Sequence, residues 1–154
     1  MILKSAQKKF FKGFTLIELL IVIAILGILA AAVLVAINPG KRTRQAQDSK
    51  RKNDIGALAT EVQGYYTAPG AGCYPSNLSV LVNEGYLKQM PRDPVSAADY
   101  SYTKSADGAC VPAGPTEVGV YSTLAEPTGV GIRQWCYQST SGTAREVTAG
   151  ACTP

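Results

Sequence analysis

Lys12-Gly13-Phe14-Thr15-Leu16-Ile17-Glu18, running on into the apolar stretch Leu19 to Ile37, organises this chain. A small residue, Gly13, closes a basic leader. A hydrophobic helix begins at once, with one acid, Glu18, near its start. From Phe14 to Ile37 no other side chain is charged. At helical rise the stretch spans roughly 36 Å, enough to cross a bilayer. A carboxylate at the centre of a lipid-embedded helix costs about 2.5–3.5 kcal/mol, and less near an end. Either Glu18 snorkels to the interface, or it waits for a cation from a neighbouring copy.

Gly13-Phe14-Thr15-Leu16-Ile17-Glu18 resembles the cleavage and methylation motif of the type IV pilin and type II secretion pseudopilin superfamily. Glycine, phenylalanine and the acid stand at that family's spacing from the cut. The resemblance covers roughly the first third of the chain. It implies that a prepilin peptidase cuts after Gly13 on the cytoplasmic face. Phe14 becomes the new N-terminus and is N-methylated. Its amine lies close to Glu18 of its own or an adjacent subunit. Physics agrees, since amine and carboxylate are each costly alone in lipid and favour a packed filament in which they pair.

The leader holds Lys4, Lys8, Lys9 and Lys12. The whole chain is +4, from 15 Lys and Arg against 11 Asp and Glu, so losing four lysines leaves a net charge of zero. Low repulsion between copies suits self-assembly and argues against nucleic acid as the main partner. An ordinary secretory signal fits poorly. The apolar run exceeds a normal h-region, and Ala30-Ala31-Ala32 sits inside further apolar sequence rather than before a polar start.

Within the apolar run Gly27 costs about 1 kcal/mol against alanine. With Ala24 and Ala31 it falls near one helix face, a weak packing stripe. Asn38-Pro39-Gly40 predicts a kink or break just past the membrane. Lys41, Arg42, Arg44, Lys50, Arg51 and Lys52 follow, diluted by Asp48 and Asp54. Basic residues alone would put this flank in the cytoplasm. The leader motif and the downstream cysteines, which need an oxidising space, outweigh that count. The cluster reads as a solvated helix face with local salt bridges. Ile55, Leu58, Ala59, Val62, Tyr65 and Tyr66 then recur at the three-and-four spacing of one helix face, predicted to pack on a sheet. From Phe14 to Tyr66 a straight helix would run about 80 Å.

Gly64 and Pro69-Gly70 mark the helix end. Ser76 or Asn77 is placed to cap a short helix with Leu78, Leu81 and Val82 inward, and Gly85 to end it. Tyr86 to Pro94 resembles the proline and Asp-Pro loop that precedes the sheet in small pilins and major pseudopilins. Strands are predicted over 99–103, 117–125 and 130–138, with a weak fourth around 145–148, joined by Gly- and Pro-rich turns as an antiparallel meander.

Cys73, Cys110, Cys136 and Cys152 all follow the membrane segment, so two disulfides are expected. Three pairings are possible. Cys73–Cys110 would tie the helix end to the sheet, and Cys136–Cys152 would tie down the C-terminus. Free buried thiols or metal ligands are the alternatives; the lack of histidine and of CxxC spacing weighs against a zinc site, and without histidine Ser-His and Cys-His catalysis have no base to use. Resemblance to major pseudopilins raises calcium in a loop of the C-terminal sheet, with Asp93, Asp99, Asp107 and Glu117 as oxygen donors. No dense acidic loop supports it, and no cofactor is expected. Gly129-Val130-Gly131 is a turn without the helix that follows a phosphate loop.

The expected fold is α+β and pilin-like, a long N-terminal helix with a transmembrane first half, packed on a small antiparallel β-sheet. Its parts are a cleaved leader 1–13, a transmembrane and assembly helix 14–38, an amphipathic second half 39–68 and a β head 69–154. The resemblance implies a non-enzymatic subunit of a type IV pilus-like filament. It would be held in the cytoplasmic membrane by one pass with its N-terminus inside, then extracted by an assembly ATPase and a platform protein. A pseudopilin of a secretion or DNA-uptake machine and a membrane-anchored domain that never polymerises are the alternatives.

Overall fold

The computed structural model describes residues 13–106, 108 and 113–154. Two compact units divide between Pro39 and Gly40.

In the first, Thr15 is the N-cap of helix α1, Leu16–Ile37. Its side chain accepts the Glu18 N–H, and the Glu18 carboxylate accepts the Thr15 N–H in return. This reciprocal capping box satisfies two donors that a helix start otherwise leaves open. None of the 22 residues of α1 is buried. Asn38 then enters the left-handed region at φ 47° and ends the helix. Pro39 has no N–H to continue it, but its fixed φ suits the first position of a new helix. The break thus falls at the predicted Asn38-Pro39-Gly40.

In the second unit, helix α2, Pro39–Thr67, buries Asp48, Arg51, Ile55, Leu58, Val62 and Tyr65. These recur at alternating steps of three and four, one continuous stripe. At Gly70 the chain doubles back. Its N–H donates to the Tyr65 carbonyl at 2.8 Å, and a Cβ there would lie 2.0 Å from the Cys73 carbonyl oxygen, so only glycine fits. Helix α3, Ser79–Asn83, starts later than predicted. Leu78 takes the N-cap position with no side-chain cap, because it is buried in the core. Ser76 and Asn77 do not cap it, and Asn77 instead accepts from the Ser79 hydroxyl. Gly85, at φ 80°, follows the helix as expected.

Four antiparallel strands follow: β1 Ser101–Lys104, β2 Val118–Thr123, β3 Arg133–Gln138 and β4 Thr143–Thr148, in spatial order β1-β2-β3-β4. Register aligns Tyr102 with Val120, Val120 with Tyr137, and Tyr137 with Ala144. This row and Val118 meet Ile55, Leu58, Val62 and Tyr65 of α2 in one core with Tyr74, Leu78, Leu81 and Tyr100. Each fully buried aliphatic contributes about 1.5–3 kcal/mol over leaving it in water.

The strands differ from prediction at their ends. Asp99 joins only as an isolated bridge to Arg92, so β1 is shorter. Val130 and Ile132 lie outside β3, because Gly131 at φ 88° breaks the extended backbone beside them. The weak fourth strand is a full edge strand six residues long.

Candidate functional site

The first turn of α1 places Phe14 and Glu18 together at one helix end. Phe14 is exposed, and Thr15 turns the chain into the helix. The Glu18 Oε2 accepts from Thr15 N at 2.9 Å and from Thr15 Oγ1 at 2.7 Å. Both bonds go to one oxygen, Oε2. A carboxylate at a helix N-terminus also meets the positive end of the helix dipole. So Glu18 is oriented by its own helix start. The signal was in the sequence, since Thr15-x-x-Glu18 before an apolar run is a capping-box pattern. Gly13 is exposed and outside the helix. The leader residues before it lie outside the described residues.

Behind this site, α1 presents Leu19, Ile23, Leu26, Leu29 and Leu34 to its surroundings with more than half of each exposed. It is long and apolar enough to cross a membrane.

The basic cluster is the solvated face read from sequence at Lys41, Arg42, Arg44 and Lys50, which are exposed, but not at Arg51. Lys50 does make the local pair, 2.7 Å to Asp54. Arg51, however, is buried and joins two carboxylates, Asp48 at 2.8 Å and Asp93 at 2.6 Å. Asp48 also accepts the N–H groups of Ala125 and Glu126 at 2.9 and 2.7 Å. Arg44 reaches Glu126 at 2.6 Å, and Lys52 sits 4.7 Å over the Trp135 ring. These side chains fasten α2 to the β2–β3 loop and to the Asp93 turn. Charge composition alone hides them, and helix phase reveals them. Asp48 and Arg51 continue the stripe of Ile55, Leu58 and Val62 at the same three-and-four steps.

The hydrogen bonds from Arg51 hold the Asp93 carboxyl well below the usual carboxylate range, aided by the N–H groups of Ser96 and Val95. Asp93 is therefore engaged as the acceptor for Arg51 and its own turn. Asp99 is an exposed partner of Arg92 at 3.5 Å, Glu117 is exposed, and Asp107 lies outside the described residues. Among the described residues no three His, Cys, Asp or Glu side chains gather as a metal-holding group.

Cys136 and Cys152 are joined by a disulfide with Cα atoms 5.7 Å apart, which ties the C-terminus to β3. Gln138 Nε2 adds a 2.8 Å bond to the Thr153 carbonyl. Cys73 is buried, and Cys110 lies outside the described residues.

An apolar helix opened by Phe14 and an oriented acid, joined by sequence to a second helix packed on a four-stranded antiparallel meander, defines a protein of the pilin and pseudopilin class. The prokaryotic N-terminal methylation motif matches residues 8–34. Type II secretion system core protein G of Pseudomonas aeruginosa is 38% identical over 104 residues, covering 57% of this chain and 70% of that protein. The protein of the same description from Aeromonas hydrophila is 35% identical over 104 residues, with the same 57% and 70% coverage. That from Vibrio cholerae is 33% identical over 110 residues, covering 62% and 72%. This chain belongs to the type II secretion system core protein G family of pseudopilins. No solved structure matches it.

Proposed function

We propose that this chain is the repeating subunit of a pseudopilus-like filament of a type II secretion machine. A long surface pilus, the first expectation from the leader motif, becomes the second reading, because the similar proteins are secretion-system core proteins. One observation carries the filament itself. The described chain buries none of α1, so 22 mostly apolar residues are left for lipid or for like helices.

Prepilin peptidase removes residues 1–13, and Phe14 is methylated at its new amine. Before assembly the subunit is held in the cytoplasmic membrane by α1, with the head outside. Machinery comprising an assembly ATPase and a platform protein moves it into a helical array, where α1 packs on α1. There the Phe14 amine of one copy meets Glu18, and each removes the desolvation cost of the other. The head catalyses nothing in this scheme.

Mass spectrometry of the mature protein tests the processing, with an N-methylated Phe14 as the expected first residue. A chain that still begins at Met1 overturns it. Deleting the gene separates pseudopilus from pilus. Loss of protein export with surface fibres intact supports the secretion role, and loss of surface fibres with export intact overturns it.

A further inference from the structure

One edge of the sheet lies open beside a groove. In the order β1-β2-β3-β4 the outermost strands are β1 and β4. Ser105 N–H donates to the Glu117 carbonyl at 2.9 Å, and the same register sets Thr103 opposite Gly119 and Ser101 opposite Tyr121. Antiparallel pairs alternate between bonded and non-bonded, so Tyr102, between them, turns its N–H and C=O away from β2. Just before β1, the Asp93 N–H donates to the Ala98 carbonyl at 2.9 Å, and Arg92 forms an isolated bridge with Asp99. Pro91 has no N–H with which to carry that pairing on along β1. Among the described residues β1 is paired by β2 alone. An open edge is a template for a further strand. β4 carries Arg145 and Glu146 at mid-strand, which discourages such pairing, whereas the one charge of β1, Lys104, stands at its end.

The groove measures about 510 Å³. Leu78, Met90, Tyr100 and Tyr102 give it an apolar lining, with Leu78 and Tyr100 themselves part of the core. Its charged lining is Lys88, Arg92 and Asp99. Arg92 Nε lies 3.5 Å from Asp99 Oδ1, with both side chains 62% exposed, and Lys88 is exposed. Two cations against one carboxylate leave the groove with a positive excess.

We propose that the groove takes an extended acidic segment of another polypeptide, added to β1 as a fifth strand. Tyr102 supplies the N–H and C=O that pair with its backbone. Side chains alternate between the faces of a strand, so every second one lies on the side of Tyr100 and Tyr102 and enters the groove, where an apolar one fits. Lys88 and Arg92 meet its carboxylates. Main-chain bonds give such a contact its affinity and the alternating side chains its specificity. The four residues of β1 limit the added strand to about 13 Å. All of these residues belong to the second unit, so the site does not depend on polymerisation. The β4 edge of a second copy fits less well. Its one carboxylate, Glu146, already accepts from Thr128 and Gly129, and Arg145 adds a like charge.

The test uses the full chain in detergent and a fluorescein-labelled, amidated hexapeptide of alternating glutamate and valine, read by fluorescence polarisation. Saturable binding is expected, and its absence overturns the proposal. The same peptide with lysine for glutamate should bind about tenfold more weakly. Lys88→Glu with Arg92→Glu should reverse that preference. A preference unchanged in this variant, with melting also unchanged, overturns the part given to the two cations. Methylating every second peptide nitrogen separates strand addition from simple adhesion. In one phase the methyl groups meet β1 and binding is lost; in the other they face away and binding stays. Equal effects of the two phases overturn strand addition. Both methylated peptides are read on the unaltered chain, so this arm stands whether or not the double variant folds. Self-association of the chain that the peptide disperses overturns the choice of occupant in favour of a second copy.

Discussion

Arg51 bonds two carboxylates with one guanidinium, from a side chain that is only 9% exposed. Removing one member of a buried ion group leaves the others charged and unpaired, which costs about 3–5 kcal/mol. Arg51→Ala should lower head stability by about that amount, read from the urea midpoint, with Arg51→Lys intermediate. Asp93 gives the same cluster a pH signature. Its folded pKa lies below the unfolded value of about 3.9. Between the two values the unfolded chain binds the extra proton, so stability rises with pH across that window. The contribution is complete above about pH 4 and is lost as pH falls towards the folded value. Denaturant midpoints measured from pH 6 down to pH 2 should show this loss, and Asp93→Asn should flatten it. The sequence showed that Arg51 and Asp48 exist. It did not show that they are inside, because a cation-rich run looks solvated until the helix phase carries it under a loop.

At the scale of elements, α2 and the strands were legible because the three-and-four and alternating periods survive in Ile55 to Tyr65 and in Val118 to Val120. Their ends were not. Val130 and Ile132 look like strand residues, and only the turn at Gly131 and the bonds that loop N–H groups donate to Asp48 and Glu146 take the preceding loop out of the sheet. The edge strand β4 was underestimated for the converse reason. It alternates weakly, yet it is paired along its length with β3, from Arg133–Thr148 to Gln138–Thr143. The segment after it is held by the Cys136–Cys152 bond, which closes a loop with a sequence separation of 16. A bridge over that length stabilises by about 3 kcal/mol through the unfolded state. The double change Cys136→Ala and Cys152→Ala should cost roughly that in equilibrium unfolding, with fraying concentrated at 150–154 in hydrogen exchange.

For the whole molecule, assembly turns on whether Glu18 acts by charge or by capping. Glu18→Gln keeps an oxygen for the Thr15 N–H and loses the charge. Thr15→Ala keeps the charge and loses the hydroxyl, at about 1 kcal/mol of helix start. If the amine pair drives polymerisation, sedimented filament should vanish with Glu18→Gln and persist with Thr15→Ala. The opposite pattern would mean that the carboxylate matters only to its own helix. Sequence alone determined the apolar helix α1, the N-terminal methylation motif, the helix break at Asn38-Pro39 and the presence of a β meander, because each is written in local periods or single-residue stereochemistry. Only the tertiary structure decided that Asp48, Arg51 and Asp93 form a buried clamp, and that the 125–132 loop is pinned with its aliphatic side chains outward. Those outcomes depend on residues far apart in the chain meeting where water is excluded, and no local pattern encodes such a meeting.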